Sequence, residues 1–198
     1  MYHMPYRRSL PLDQELPAIF SPRLSLVSLS PACLAACLEG DAAEASRLLG
    51  VAIPPEFLAE RWLLELRLGD LRADPSWQPW LLRAVVLRAT GEMIGHIGFH
   101  TPPAPDYLDA LAPGGIEMGY TIYPAHQRQG YATEAASALM AWAEQRGQRR
   151  FVLSISPGNE PSQRIARRLG FAKVGEQVDE IDGVEEVLVR DVGGAAQG

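Results

Sequence analysis

Lysine is almost missing from this chain: of 18 basic residues only Lys173 is one, and the bias to arginine codons carries no functional weight. Positive charge is not in excess either. The formal net charge of −6 argues against a nucleic-acid binder, which would carry a basic face. No run of about 18 apolar residues occurs, so no segment reads as crossing a membrane. Arg7 and Arg8 are followed by Pro11, Asp13, Gln14 and Glu15, where a signal peptide needs an apolar stretch, so a cytoplasmic protein is expected. Two cysteines, Cys33 and Cys37, make no disulfide framework and read as small buried hydrophobes on a helix. Two phosphate-binding signatures are absent as well. No Gly-Lys-Ser/Thr follows a glycine loop, and no Gly-x-Gly-x-x-Gly marks a dinucleotide fold.

What is present suffices for one substantial core, with 198 residues of which 47% are hydrophobic. Residues 1–20 are punctuated by proline and aperiodic, and read as a flexible N-terminal arm. A single domain is expected over residues 21–192, with a flexible tail at 193–198. Alternation of Leu24 and Leu26 with polar neighbours predicts a strand over residues 23–28. Ser30 before Pro31 starts a helix, and a second one reaches Gly50. Pro54 and Pro55 open another helix, with a loop expected from Gly69 to Trp80. Strands over 81–88 and 93–100 flank Thr90-Gly91 as a hairpin. A proline-rich loop, residues 101–115, is long enough to be functional or mobile. Then come a strand at 116–123, a helix near 131–146, a strand at 150–156 and a short helix near 162–169. Two last strands flank Asp182-Gly183, a strong hairpin signal. The whole is a mixed α/β sheet.

The most informative stretch is residues 116–135. A strand-like run meets Pro124, then a polar loop with Gly130, then an alanine-rich helix starting near Tyr131. A loop entering a helix leaves several N–H groups unpaired and pointing the same way, with the helix dipole behind them. Such an end binds anions, most often phosphate. Gly130 permits close approach of a ligand, and Ala132 keeps the first turn thin.

Gln127, Gly130 and Ala132 fit Gln/Arg-x-x-Gly-x-Gly/Ala. Glu117, Gly119 and Tyr120 precede them; Gly130 to Ala135, Asn159 with Ser162, and Leu169-Gly170-Phe171 follow in order. On these motifs, residues 20–191 resemble the GNAT superfamily of acetyltransferases. The likeness is greatest to the branch containing the ribosomal-protein N-terminal acetyltransferases. The resemblance implies a central, mostly antiparallel mixed sheet flanked by helices, with acetyl-CoA at a splay between the fourth and fifth strands. It implies transfer of acetyl from the thioester to a primary amine of a small molecule or a protein N-terminus, without metal. Backbone at Ile122 would pair with the pantetheine arm. Backbone N–H groups of Gln127, Arg128, Gln129, Gly130, Tyr131 and Ala132 would hold the pyrophosphate, Arg128 adding charge. Asn159 and Ser162 would complete the cofactor site. Arg128 also reads as solvated, Asn159 as a turn former, and Ile122 as core.

Acetyl transfer needs a base for the amine, a donor to the oxyanion and an acid for the thiolate. A backbone N–H beside a bulge in the fourth strand would serve the oxyanion. Glu117 is the candidate base, or else a structural carboxylate binding loop N–H groups. Many family members carry a tyrosine seven residues after the asparagine, where this chain has Ala166. Ser162 is therefore the candidate acid, or else the N-cap of its own helix, and Tyr120 is a third candidate that also reads as core. His96 and His100 are spaced ~13 Å apart on a strand, at about 3.3 Å per residue, too far for one metal. His126 reads as an ordinary loop residue. Asp179, Glu180, Asp182, Glu185 and Glu186, with Asp106 and Asp109, would attract a cationic amine or else form a solvated face. No nucleic acid or membrane partner is expected, and a homodimer stays open. The missing tyrosine leaves a non-catalytic acyl-CoA-binding module as the alternative function.

Overall fold

A computed structural model of the protein describes residues 16–179 and 183–193. Among these residues eight strands form one mixed sheet: β1 (Ile19–Phe20), β2 (Leu24–Ser28), β3 (Arg83–Leu87), β4 (Met93–Phe99), β5 (Ile116–Ile122), β6 (Arg150–Ile155), β7 (Ala172–Asp179) and β8 (Gly183–Asp191). Their order is β1-β2-β3-β4-β5-β6-β8-β7. Every seam is antiparallel except β5–β6, which is parallel.

The helices are α1 (Pro31–Glu39), α2 (Ala42–Leu49), α3 (Pro55–Ala59), α4 (Arg61–Ala73), α5 (Tyr131–Glu144) and α6 (Glu160–Arg168). Side chains alternate across a strand, so neighbouring residues serve different cores. In β3, Val85 joins α5 and α6 on one face, with Ile94, Ile97, Phe99, Leu139 and Phe151. Ala84 and Val86 face α1 to α4 on the other, against Leu34, Phe57, Leu64 and Leu68. A third, smaller cluster sets Leu108 and Ala112 against Val152, Val187 and Val189. The proline-rich loop thus covers the C-terminal part of the sheet, with one helical turn at Asp106–Leu108.

Several elements differ from the sequence expectation. Ile19–Phe20 was read as part of an arm but pairs with β2, and Ile19 is buried. Two residues are too short to show a period. The helix opened by Pro54-Pro55 breaks at Glu60, whose backbone leaves helical dihedrals (φ −83°, ψ 47°). Its carboxylate oxygens both lie 2.9 Å from His96 Nε2 on β4. After the break, α4 runs through Gly69, where a loop was expected. The buried stripe Leu64, Leu68 and Leu71 outweighs the ~1 kcal/mol that one glycine costs a helix. Of the closing hairpin, residues 180–182 lie outside the described residues, although β7 and β8 pair antiparallel as expected.

Candidate functional site

The parallel seam between β5 and β6 is only two pairs wide, Ile116↔Phe151 and Glu117↔Val152. Beyond Glu117 the two strands part. On its other side β5 stays paired with β4 without a slip from Met118 to Ile122. The bulge expected in this strand is therefore not there; the register shift in this half of the sheet lies between β3 and β4, where Val85 faces Gly95 and Val86 faces Met93 and Ile94 is the extra residue. His100 N–H donates to Glu117 O and Tyr123 N–H to Ile94 O, each at 2.9 Å. Antiparallel pairing alternates, so Met118, Tyr120 and Ile122 turn their backbone groups away from β4; the Met118 N–H closes the two-pair seam, and the N–H groups of Tyr120 and Ile122 face the gap. The splay thus does what the bulge was expected to do: it frees backbone donors beside the place where chemistry would occur.

The gap opens into a cleft of about 850 Å³, floored by β5, closed by α6 and ended by the loop before α5. The sequence folds this loop in a specific way. Pro124–His126 makes one tight turn, then Arg128 (φ 61°) and Gly130 (φ 81°) take left-handed backbone before α5 begins. The first bond into α5 runs from Glu134 N–H to Gly130 O at 3.1 Å. The N–H groups from Arg128 to Thr133 have no partner among the described residues. Gln127 does something else: its Nε2 donates to Ile122 O at 2.9 Å, tying the loop back to β5. Arg128, Arg164, Arg167 and Arg168 line the same cleft, giving it a cationic rim.

A clamp that the sequence reading missed holds this loop. Glu134, in the first turn of α5, accepts from Ser21 Oγ at 2.7 Å, Arg23 N–H at 2.8 Å and Arg23 Nε at 2.6 Å. The same guanidinium donates to Gln129 O at 3.0 Å and lies 4.4 Å from the centre of the Tyr131 ring. Burial pushes the Glu134 carboxyl up, but the bonds from Ser21 and Arg23 more than offset it and hold it below its usual range. Glu134 stands in the quoted Gly-Tyr-Ala-Thr-Glu-Ala stretch. Its partners, more than a hundred residues earlier, have no local pattern to reveal them.

The other end of the gap is a cavity of about 300 Å³ that shares Tyr120, Asn159 and Ser162 with the cleft. Asn159 is the N-cap of α6, its Oδ1 accepting from Ser162 N–H at 3.2 Å. Ser162 is therefore not the cap it was read as, and its hydroxyl is free of that duty. The Tyr120 hydroxyl is buried without a hydrogen bond of ordinary geometry. Burial pushes its phenol up, partly offset by the approach of Ser162. Ala166, where a tyrosine would stand, is fully buried in the core.

Glu117 is 3% exposed, with Oε2 3.4 Å from His100 Nδ1. Burial pushes its carboxyl up; hydrogen bonds from His100, Ser154 and Tyr107, with the charge of His100, more than compensate and hold it low. Burial and the charge of Glu117 push the Tyr107 phenol well above its usual range. So Glu117 lies behind the cavity wall, and His100 is the group that lines the space. His100 had been considered only as half of a metal pair. Its partner in that spacing, His96, is buried against Glu60, and His126 meets Glu92 at 3.2 Å while lining the cleft. Cys33 and Cys37 are free and buried. Of the acidic stretch, Glu185 lines the small cavity and Glu186 bonds Lys173 and Gln163. Glu180, Asp182 and the side chain of Asp179 lie outside the described residues, and Asp106 and Asp109 are exposed.

Residues 23–172 match the family model of the acetyltransferase (GNAT) domain. Two uncharacterised N-acetyltransferases of Bacillus subtilis, YoaA and YnaD, share 36% and 30% identity over 91 and 92 residues. These segments are 44% and 46% of this chain, and the matches span about half of the relatives' own length (46% and 49%). An acetyltransferase from Agrobacterium tumefaciens superposes with a TM-score of 0.57 at 26% identity, over 94% of this chain and 99% of its own. The structure of RimL, a ribosomal L7/L12 alpha-N-protein acetyltransferase in complex with coenzyme A, matches 88% of this chain and 98% of its own, with a TM-score of 0.59 at 18% identity. With the family model covering most of the chain and the mixed sheet splayed above a phosphate-type loop, the protein belongs to the GNAT acetyltransferase family.

Proposed function

We propose that the protein is a cytoplasmic, acetyl-CoA-dependent N-acetyltransferase that passes acetyl directly to a primary amine of a protein N-terminus or a small molecule. The observation that carries this is the row of unpaired N–H groups from Arg128 to Thr133 at the mouth of α5, opening onto a splayed strand. A pyrophosphate suits the first feature, since several donors and the helix dipole converge there. An extended amide-bearing arm suits the second, since it can pair with the free backbone of Tyr120 and the N–H of Ile122 as a strand would. Arg128 and the arginines of α6 add charge for further phosphate.

At the inner end, the N–H group of Tyr120, the first beyond the seam, is the donor available to an oxyanion. The amine approaches through the small cavity, where Glu185 in the wall and Glu117 behind His100 favour a cation. Ser162, released from capping, donates the proton that the departing thiolate needs, with Tyr120 beside it. The buried Ala166 supports a second reading, an acyl-CoA-binding module without turnover. The test is a panel of primary amines incubated with acetyl-CoA, read by release of free thiol. Thiol release above the amine-free rate is expected. Binding of acetyl-CoA with no release for any amine would favour the module, and no binding at all would end both readings.

A further inference from the structure

We infer that His100 is the proton acceptor for the incoming amine and that Glu117 is its positioning residue. The inference rests on the acetyl-transfer reading above. Glu117 is too enclosed to meet an amine itself, with 3% of its surface exposed, His100 between it and the small cavity, and Oε2 3.4 Å from the ring. His100 is half-buried, lines the small cavity and turns Nδ1 to Glu117 Oε2 at 3.4 Å. A carboxylate facing Nδ1 favours the tautomer that carries its proton there and its lone pair on Nε2. That nitrogen has no hydrogen-bond partner among the described residues. It lies where a side chain on residue 119 would be: a Cβ on Gly119 would come within 2.8 Å of it. Gly119 therefore makes room for the ring beside the strand whose free backbone faces the gap.

The support continues outward. Arg67, buried in α4, donates to His100 O at 2.7 Å and to Asp70 at 2.8 Å, fixing the backbone where β4 ends. Tyr107 comes from the proline-rich loop, which Leu108 and Ala112 anchor on the sheet. The charged and titratable groups around the ring are thus Glu117 on β5, Tyr107 beside it, Arg67 and Asp70 on α4, and Glu185 on β8 across the cavity.

The protons balance. A primary ammonium brings three N–H protons and the amide product keeps one. As the N–C bond forms and the C–S bond breaks, one proton goes to the thiolate and the other leaves through Nε2 to solvent. The carboxylate of Glu117 stabilises the imidazolium formed on the way.

The test uses His100→Gln, His100→Ala, Glu117→Gln and Glu117→Asp in the full chain, each first checked for its thermal shift with acetyl-CoA. That shift should match wild type; its absence in the wild type would count against the acetyl-transfer reading instead. His100→Gln should lose roughly 10²–10⁴-fold in kcat. Added imidazole should restore turnover to His100→Ala. Glu117→Gln should lower kcat by a smaller factor than His100→Gln with KM nearly unchanged, and Glu117→Asp, which keeps the carboxylate, should recover part of that loss. Wild-type rates in His100→Gln, or no rescue of a folded His100→Ala, would overturn the proton acceptor. Wild-type kcat in Glu117→Gln, or no recovery in Glu117→Asp, would overturn the positioning role.

Discussion

Replacing Gly130 with valine tests the anion loop directly. The residue has φ 81° and ψ 4°, left-handed backbone immediately before α5. An added Cβ would meet only Arg23 Nη2, at an ordinary 3.5 Å, so packing does not oppose the change. Backbone strain does, at ~1–2 kcal/mol for a residue with a Cβ and more for a branched one. The loss of binding should be larger. Each N–H donated to a charged oxygen is worth about 1.5–3 kcal/mol, and a valine at this mouth obstructs at least two of them. That predicts ~3–6 kcal/mol, or roughly 10²–10⁴ in Kd. Acetyl-CoA at about a hundredfold over Kd adds ~2.7 kcal/mol to the wild type. For a chain of this size each kcal/mol moves Tm by ~2–4 °C, so the wild-type shift is ~5–11 °C. Gly147→Val supplies the control: φ there is 91°, nothing lies within 4 Å of the new Cβ, and the turn is remote from the cleft. It should lower the basal Tm while keeping the ligand shift. Gly130→Val should lower the basal Tm similarly and lose the shift. Equal ligand shifts in Gly130→Val and wild type would refute the argument.

Other expectations follow from the same contacts. Glu134→Gln, which touches no ligand, should weaken acetyl-CoA binding severalfold, ~1 kcal/mol after allowance for the half-exposed Arg23, measured by calorimetry; unchanged affinity would show that the clamp does not shape the loop. Asn159→Ala should cost about 1 kcal/mol of stability as a lost N-cap. Ser162→Ala should instead leave Tm nearly unchanged while reducing kcat by roughly 10²–10⁴-fold; the reverse pattern would return Ser162 to a structural role. The Glu117 carboxyl is held below its unfolded value of ~4.3, so its contribution is present above that pH and fades as pH falls through the folded value. Tm against pH should accordingly decline less steeply on the acid side for Glu117→Gln, and parallel curves would contradict this.

Local signals in the sequence carried most of the element order. Ser30 capping Cys33 N–H, the Thr90-Gly91 turn and the strand–loop–helix at 116–144 all depend on neighbours within a few positions. The anion loop was legible for the same reason, since its unpaired donors follow from helix geometry alone. What stayed hidden is long-range. Glu60 breaks a helix because His96, far along the chain, draws its carboxylate away. Arg23 and Glu134 meet across 111 residues. His100 could be judged from sequence only against His96, its neighbour in spacing, because nothing in one dimension says that Glu117 lies beside it. Whether Ser162 caps its helix or keeps a free hydroxyl stayed open because Asn159 three residues earlier is an equally good cap, and geometry decides for Asn159.

The two-pair seam between β5 and β6 divides the backbone ladder into two half-sheets of unequal size. The smaller, β6, β8 and β7 with α6, is made wholly of residues after 149, a continuous stretch at the end of the described chain. Asn159 and Ser162 ride on that stretch; Glu117, Tyr120 and the loop before α5 belong to the larger part. The groups proposed to react are thus distributed over two potential units of local unfolding. A ligand lying in the gap would act as the missing rung between them. Amide protons of β6 should then exchange with solvent markedly more slowly once acetyl-CoA is bound, while those of β2 and β3, far from the seam, keep their rates.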